Sequence, residues 1–427
     1  MPSRRDQGAA SSKVLPRAMR ARLSLLLLTA ASTLHWSSAW SASEENLRGV
    51  PVQNLPRPGY ETKDITIGEF TLSPQIELDG AYNSNIFARQ IGAVGDEFLS
   101  ISPKMVVRKS SSDLNLSADV FADLYRYIDH PRENVDTYGF DVSGNYKINQ
   151  ASSASISGGY QRVYQHREDV EPTSPGLPPA LIDEWTGDVG YTFRPGRIGF
   201  VSSAGFTKIN YLDPINADRN YTSYRAKLRG LYALTHHVDL FVDAYFNDRD
   251  FRLPVDFTGV NRDAITYGTN VGVAVDISDL WSGEMGIGAF QSDPRDPTLR
   301  SFSGLSANGS ITWHPRPRTA LTLDVFQGDR ATVQSGAYGR TDSTIVLSIE
   351  EEARHNLLLD ASIGRRVSTF RGTTLQKTTI TPEFGAEYLL NRRASITLQV
   401  YRSDRTTSTG TNQFLQYQVE IGTRLRF

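Results

Sequence analysis

The 427-residue sequence predicts an all-β protein: a transmembrane antiparallel barrel of about 18 strands, with 16 as the alternative count. Three observations carry that expectation. Apolar and polar residues alternate with period two from about residue 72 to the C-terminus, so each run has one apolar and one polar face. The runs are about 10 to 14 residues long, beyond the usual soluble strand and close to what a tilted membrane strand needs. The connections alternate between tight turns and long polar loops, which a soluble sandwich or propeller has no reason to do and an outer-membrane barrel does.

Composition sets limits. There is no Cys, so no disulfide framework and no thiolate metal site. The formal net charge is −2, which gives no reason to expect a nucleic-acid partner. No internal stretch reaches the apolar length of a membrane helix.

Residues 1–41 read as a cleaved secretory signal. Arg17, Arg20 and Arg22 precede the short apolar run Leu23 to Leu34, and Ala39 and Ser41 fit a signal-peptidase site. Residues 42–71, with Pro51, Pro56 and Pro58, read as a flexible periplasmic segment. The barrel is expected over 72–427.

Within it, Leu114, Leu116, Ala118, Val120, Ala122 and Leu124 interleave with Asn115, Ser117, Asp119, Phe121, Asp123 and Tyr125. A helix would place its apolar residues at i, i+3 and i+4 instead. Runs are expected to begin near 72, 97, 112, 137, 152, 183, 197, 221, 238, 263, 280, 301, 319, 341, 356, 376, 394 and 411, positions good to about 2 to 4 residues. Short periplasmic turns alternate with long extracellular loops such as 83–96, 127–136, 166–182 and 248–262. Aromatics cluster near the short-turn ends of the apolar face (Tyr146, Tyr191, Phe193, Phe200, Tyr232, Trp281, Trp313, Tyr388), and a second set (Tyr138, Trp185, Tyr224, Tyr267) marks the opposite ends. These are the two interfacial girdles.

With the apolar face in lipid, the other face lines the lumen. The expected lining includes Arg225, Lys227, Arg229, Asp119, Asp123, Asp239, Asp243, Asp324, Glu383, Glu387 and Arg424. Charges at this frequency do not face lipid, where a central Arg or Lys costs roughly 2–4 kcal/mol. Arg225, Lys227 and Arg229 alternate along one strand. They read either as a ladder for anionic solutes or, more simply, as an ion-pair network with Asp188 and Asp239. Inward acids outnumber inward bases, which predicts a mild cation preference. Phe121, Tyr125, Phe241, Tyr245, Phe326 and Tyr401 also point inward, where they either stack on sugar faces or pack against the wall or a loop. The glycines Gly283, Gly286 and Gly288 lie in a run and read as bends or close backbone approach.

The terminal run carries Tyr417, Val419, Ile421, Leu425 and Phe427 at alternate positions, with Thr423 a mild departure. It resembles the assembly signal of outer-membrane barrels, which implies the insertion machinery as a partner. The body resembles an outer-membrane β-barrel porin family associated with exopolysaccharide loci. The residues that carry this are Tyr82-Asn83-Ser84-Asn85-Ile86-Phe87, Leu124-Tyr125-Arg126-Tyr127, and Arg162 with Arg167-Glu168-Asp169. That resemblance implies an outer-membrane barrel for diffusion or polysaccharide export, and it supplies no catalytic residues.

The expected protein is therefore an exported outer-membrane barrel of a Gram-negative bacterium, a channel for small hydrophilic solutes or for exopolysaccharide translocation. Lipid, lipopolysaccharide and polysaccharide-export components are the expected partners, and neither cofactor nor metal is expected. The alternative is a plugged barrel acting as a scaffold or adhesin. A third reading, an outer-rim hydrolase, would need His130 beside Asp129, or His166 beside Glu168 and Asp169. No nucleophile elbow, phosphate loop or metal-ligand spacing accompanies them.

Overall fold

The computed structural model describes residues 52–427 apart from 63, 173–175 and 278–279. The proposed signal and cleavage site lie outside the described residues, as do residues 42–51 and the connection 278–279 before the run expected near 280.

Among the described residues eighteen antiparallel strands close into a barrel, and a short nineteenth joins the same sheet. A short β1 (Ile65–Ile67) pairs with the start of β2 (Phe70–Asn83). There follow β3 (Asp96–Ser110), β4 (Leu114–Tyr127), β5 (Val135–Lys147), β6 (Ser152–Tyr164), β7 (Leu181–Phe193), β8 (Ile198–Tyr211), β9 (Tyr221–Ala233) and β10 (Val238–Phe251). The second half comprises β11 (Ala264–Ile277), β12 (Trp281–Pro294), β13 (Phe302–Arg316), β14 (Thr319–Arg330), β15 (Gly339–Arg354), β16 (Leu357–Arg371), β17 (Gln376–Leu389), β18 (Ala394–Thr407) and β19 (Phe414–Arg426). Each strand of β2–β19 pairs with its sequence neighbour, and β19 returns to β2, with Gln418 opposite Asn83 and Arg426 opposite Gln75. In lipid every backbone polar group must be paired within the protein, and closure leaves no edge.

Alternation settles which face is which. Tyr146, Tyr191, Phe193, Phe200, Tyr232, Trp281, Trp313 and Tyr388 are all exposed on the outside, as are Tyr138, Trp185, Tyr224 and Tyr267. Trp281 and Trp313 are register partners whose rings stack at 5.7 Å. The turns on the girdle side with eight aromatics are tight, as where Ile148 N and Leu390 N donate to Ser152 O and Ala394 O.

Several glycines of the strands lie under aromatic rings from strands nearby. A Cβ on Gly139 would meet Phe121, one on Gly268 would meet Tyr245, and one on Gly272 or Gly286 would meet Phe241. Gly283 takes a φ of +132°, and its ideal Cβ would fall 2.1 Å from Ser310 O. Close approach of the β12 and β13 backbones requires glycine there.

The seam between first and last strand is held by side chains as well as by the ladder. Arg424 reaches Glu77 at 3.1 Å and Glu387 at 2.6 Å, and Arg426 also bonds Glu387. At the extracellular end Asn83 Nδ2 donates to Gln418 Oε1 at 2.8 Å, and Asn85 Nδ2 donates to Leu415 O at 3.1 Å. The Asn-Ser-Asn stretch thus ties the first loop to the last strand.

The segment 52–60, expected as a free tether, is docked against the inner wall at the short-turn end. Val52, Leu55 and Ala320 form a small buried cluster. Val52 N donates to Glu350 Oε2 at 3.0 Å, and buried Arg57 meets Glu352 at 3.0 Å. Two prolines restrict this segment's backbone, so holding it costs less entropy than the polar sequence suggests.

Candidate functional site

The ring of inward charges is mostly paired. Arg229 forms two bonds to Asp243 (2.6 and 2.9 Å) and two to Glu284 (2.7 and 3.0 Å). Lys227 also meets Asp243 at 3.1 Å, and Arg225 meets Asp188 at 3.1 Å. The basic ladder is thus an ion-pair network, with one difference from the expected partners. Asp239 pairs with Arg194 at 2.7 Å, and Asp243 and Glu284 take the ladder. The reason is register: Asp243 stands directly opposite Arg229, while Asp239 sits opposite Ala233 near the turn.

Asp119 pairs with Lys104 at 3.1 Å, and Asp123 accepts from Ser102 at 2.6 Å. Asp324 lies on the inward face of β14 between Ser310 and Val346. Glu387 and Arg424 belong to the seam.

The six inward aromatics divide. Phe241 carries the Arg229 guanidinium 4.0 Å from its centroid, and Phe326 carries Arg330 at 3.8 Å. Together with Phe121 and Tyr245, which cover glycines, they are wall packing. Tyr125 and Tyr401 line an open cleft.

The described part of the β6–β7 loop, residues 165–172 and 176–180, contributes Gln165, His166, Arg167, Glu168 and Pro179 to that cleft. Its Arg167 grips Glu133 through two nitrogens, at 3.2 and 2.8 Å, with both side chains buried. Beyond it the loop crosses the mouth. Arg405 on β18 donates to Asp169 O at 2.9 Å and also to Glu168 O, and Lys377 on β17 donates to Val170 O at 2.5 Å. Glu171 reaches Arg340 on β15 at 2.5 Å and Thr332 at 2.9 Å. β6 and β15 are nine positions apart in a ring of eighteen, on opposite sides of the barrel. Val170 packs with Ala337 and the fully buried Phe370.

The loop splits the lumen. One cleft, of about 1070 Å³, runs along β2, β3, β4, β18 and β19, from Ile86 and Pro179 near the loops to Thr397 and Glu77 deeper in. A second, of about 690 Å³, lies against β15–β18 and includes Arg366 and Glu383. His166 and Glu168 line both. Asp169 is buried at the divide. Burial pushes its carboxyl up to about 7, with Glu168 adding to the rise and Arg366 and Arg405 opposing it.

The histidines considered for chemistry have structural settings. His130 donates its backbone N–H to Asp96 Oδ2, and its Nδ1 lies 2.9 Å from the same carboxylate, so its partner is Asp96 and not Asp129. His166 packs on Tyr164 with centroids 4.2 Å apart. Of the expected assembly residues, Tyr417, Val419, Ile421 and Phe427 are exposed on the outer side, and Leu425 is partly buried.

Sequence reasoning missed Arg405, Lys377 and Arg340 as loop anchors. The one local signal was Val170, an apolar residue inside a charged loop.

The family described as "Putative beta-barrel porin 2" matches residues 57–427. The chain belongs to that family. It is a porin-like barrel of the Gram-negative outer membrane. Among curated proteins no sequence match is found. Solved structures similar to it include the outer-membrane protein OpdK from Pseudomonas aeruginosa, at 11% identity and TM-score 0.44, covering 83% of this chain and 99% of that one. The FrpB iron transporter from Neisseria meningitidis is similar at 10% identity and TM-score 0.45, covering 78% of this chain. The chain spans 63% of that transporter's length.

Proposed function

We propose that this porin-like barrel is a diffusion channel for small hydrophilic solutes, constricted by the inward β6–β7 loop. The observation that carries this reading is the larger cleft, polar-lined and running along one wall beside the loop. A barrel of this strand number is wide enough for an aqueous channel, and the loop sets the size of what passes. Passage of a hydrated polysaccharide would require the loop to leave its anchors, so small solutes come first and polymer export second. The carboxylates of the cleft favour cations.

One observation favours the non-conducting alternative: residues 52–60 occupy part of the periplasmic mouth. Single-channel recording in a planar bilayer separates the two. Stable steps with a cation-selective reversal potential support the channel. A folded, silent barrel, or anion selectivity, overturns it.

We assign the outward pairs Arg126–Asp136 and Arg162–Asp183, beyond the upper girdle, to contact with lipopolysaccharide. The outward face of β19 we assign to the insertion machinery. Unchanged lipopolysaccharide co-purification after Arg126→Ala with Arg162→Ala would sink the first. Normal assembly in cells after loss of Phe427 would sink the second.

A further inference from the structure

The smaller cleft holds a cation that the protein leaves unanswered. Arg366 of β16 lines it and, among the described residues, forms neither a hydrogen bond nor an ion pair. It is only partly buried, and its guanidinium nitrogens stay accessible. Other cations of the same wall are engaged. Arg340 is held by Glu171 and Asp342. Lys377 and Arg405 donate to carbonyl oxygens of the loop. A carbonyl satisfies a donor without cancelling its charge, so both residues add to the positive field around Arg366. A guanidinium presents its donors as a rigid planar fork, the shape that a carboxylate matches with two parallel hydrogen bonds.

Hydroxyls and a hollow surround that fork. Register places Thr344 of β15 and Thr379 of β17 directly beside Arg366. Gly364 and Ser362 follow on the same face of β16, with Thr381 opposite Gly364. Thr344, Ser362 and Thr381 line the cleft, make no side-chain hydrogen bond among the described residues, and are not sealed from it. Gly364 leaves room above the wall: a Cβ there would meet only ordinary contacts, Val346 at 3.6 Å and Thr381 O at 3.8 Å. Carboxylates also line the cleft and limit the charge it accepts. Glu168 and Glu383 each have a partner already, and Asp169 is buried and holds its proton up to about 7. A second negative charge on a ligand would meet these groups instead of a guanidinium.

We propose that this cleft binds small solutes that carry a single carboxylate and several hydroxyls, with sugar acids as the chemical class. The carboxylate takes the Arg366 fork, the hydroxyls meet Thr344, Ser362 and Thr381, and the carbon chain lies over Gly364. A neutral polyol lacks the first contact, and a simple carboxylate lacks the second. The inference goes beyond the channel reading, which rests on the larger cleft, and does not depend on it.

The test is isothermal titration of the detergent-purified full-length protein with gluconate, sorbitol and acetate, at about pH 6, where Asp169 keeps its proton. Gluconate is expected to bind about tenfold more tightly than either other probe, the scale of one charge-assisted bidentate contact. Arg366→Gln should bring gluconate down to the level of sorbitol. Gly364→Leu leaves every charge in place and fills the hollow, and it should abolish gluconate binding. If Arg366→Gln fails to fold, Gly364→Leu and the three probes on the natural sequence still decide. Sorbitol or acetate equal to gluconate, no gluconate binding at all, or binding that survives either substitution overturns the proposal. Conductance recorded on the same preparation keeps the two readings apart. Gluconate binding to a silent barrel removes the channel and leaves the site, and conductance without gluconate binding does the reverse.

Discussion

The two mouths of this barrel are narrowed by different means. At the extracellular end a loop joined to strands at both its ends crosses to the far wall, held by Arg405, Lys377 and Arg340. At the periplasmic end residues 52–60 lie against β14 and β15 through Val52, Leu55 and Arg57. Closing a loop already fixed at both ends costs little further entropy. The loop, anchored on β15, β17 and β18, is the more widely held of the two.

The strongest way to break that contrast is excision. Replacing residues 166–172 by a short linker should raise single-channel conductance several-fold, and removing residues 42–60 should raise it far less. A larger rise from the second deletion would place the constriction at the wrong end.

Next in size is the buried pair behind the loop. Arg167→Met leaves the Glu133 carboxylate buried without its guanidinium, a loss of about 3–5 kcal/mol for pairs of this kind. Amide exchange over 165–171 should rise sharply. Adding Glu133→Gln should restore most of the protection, and failure to do so would mean that the pair is not what holds the loop.

A pH effect sharpens the same point. Asp169 holds its proton up to about 7 in the docked loop, against 3.8 ordinarily. Docking that binds the proton more tightly is fully supported below the ordinary value and loses support as pH rises toward 7. Open-state occupancy should therefore climb between about pH 4 and pH 7 and level off above. Asp169→Asn should flatten that part of the titration, and an unchanged profile would remove Asp169 from the account.

The smallest effect is expected at the periplasmic mouth. Arg57→Gln leaves Glu352 still bonded to Arg318 and 2.7 Å from His355 Nδ1, so no carboxylate is stranded. Exchange over 52–60 should increase while the melting temperature of the barrel shifts by only a few degrees, in line with a change of about 1 kcal/mol. Unfolding of the whole barrel at markedly lower temperature would show the segment to be structural.

Much of this architecture was legible in the sequence because a membrane strand writes itself locally. Period-two alternation placed strand starts such as Val135, Leu181 and Phe414 within three residues of expectation, and parity alone put Asp243, Arg229 and Tyr401 inside. The docking of the loop was not legible, since it depends on partners 207 and 236 residues away, at Lys377 and Arg405. Nor was the docking of residues 52–60, whose Arg57 finds Glu352 across 295 residues. Polar segments look alike whether they meet water or a charged inner wall. The Asn83-Ser84-Asn85 stretch was singled out by resemblance, and only the structure gave it a task at the seam.

That seam has a kinetic meaning. Arg424 and Glu77 are 347 residues apart, and Gln418 and Asn83 are 335 apart, while every other strand pair of the barrel joins sequence neighbours. Local hairpins form quickly and distant pairings slowly. Zipping of the sheet can proceed from many places, but the ring is completed by a single slow step, and loss of the barrel is easiest through the same junction. Persistence of the folded protein in the membrane is then governed less by its summed stability than by how rarely one strand pair lets go.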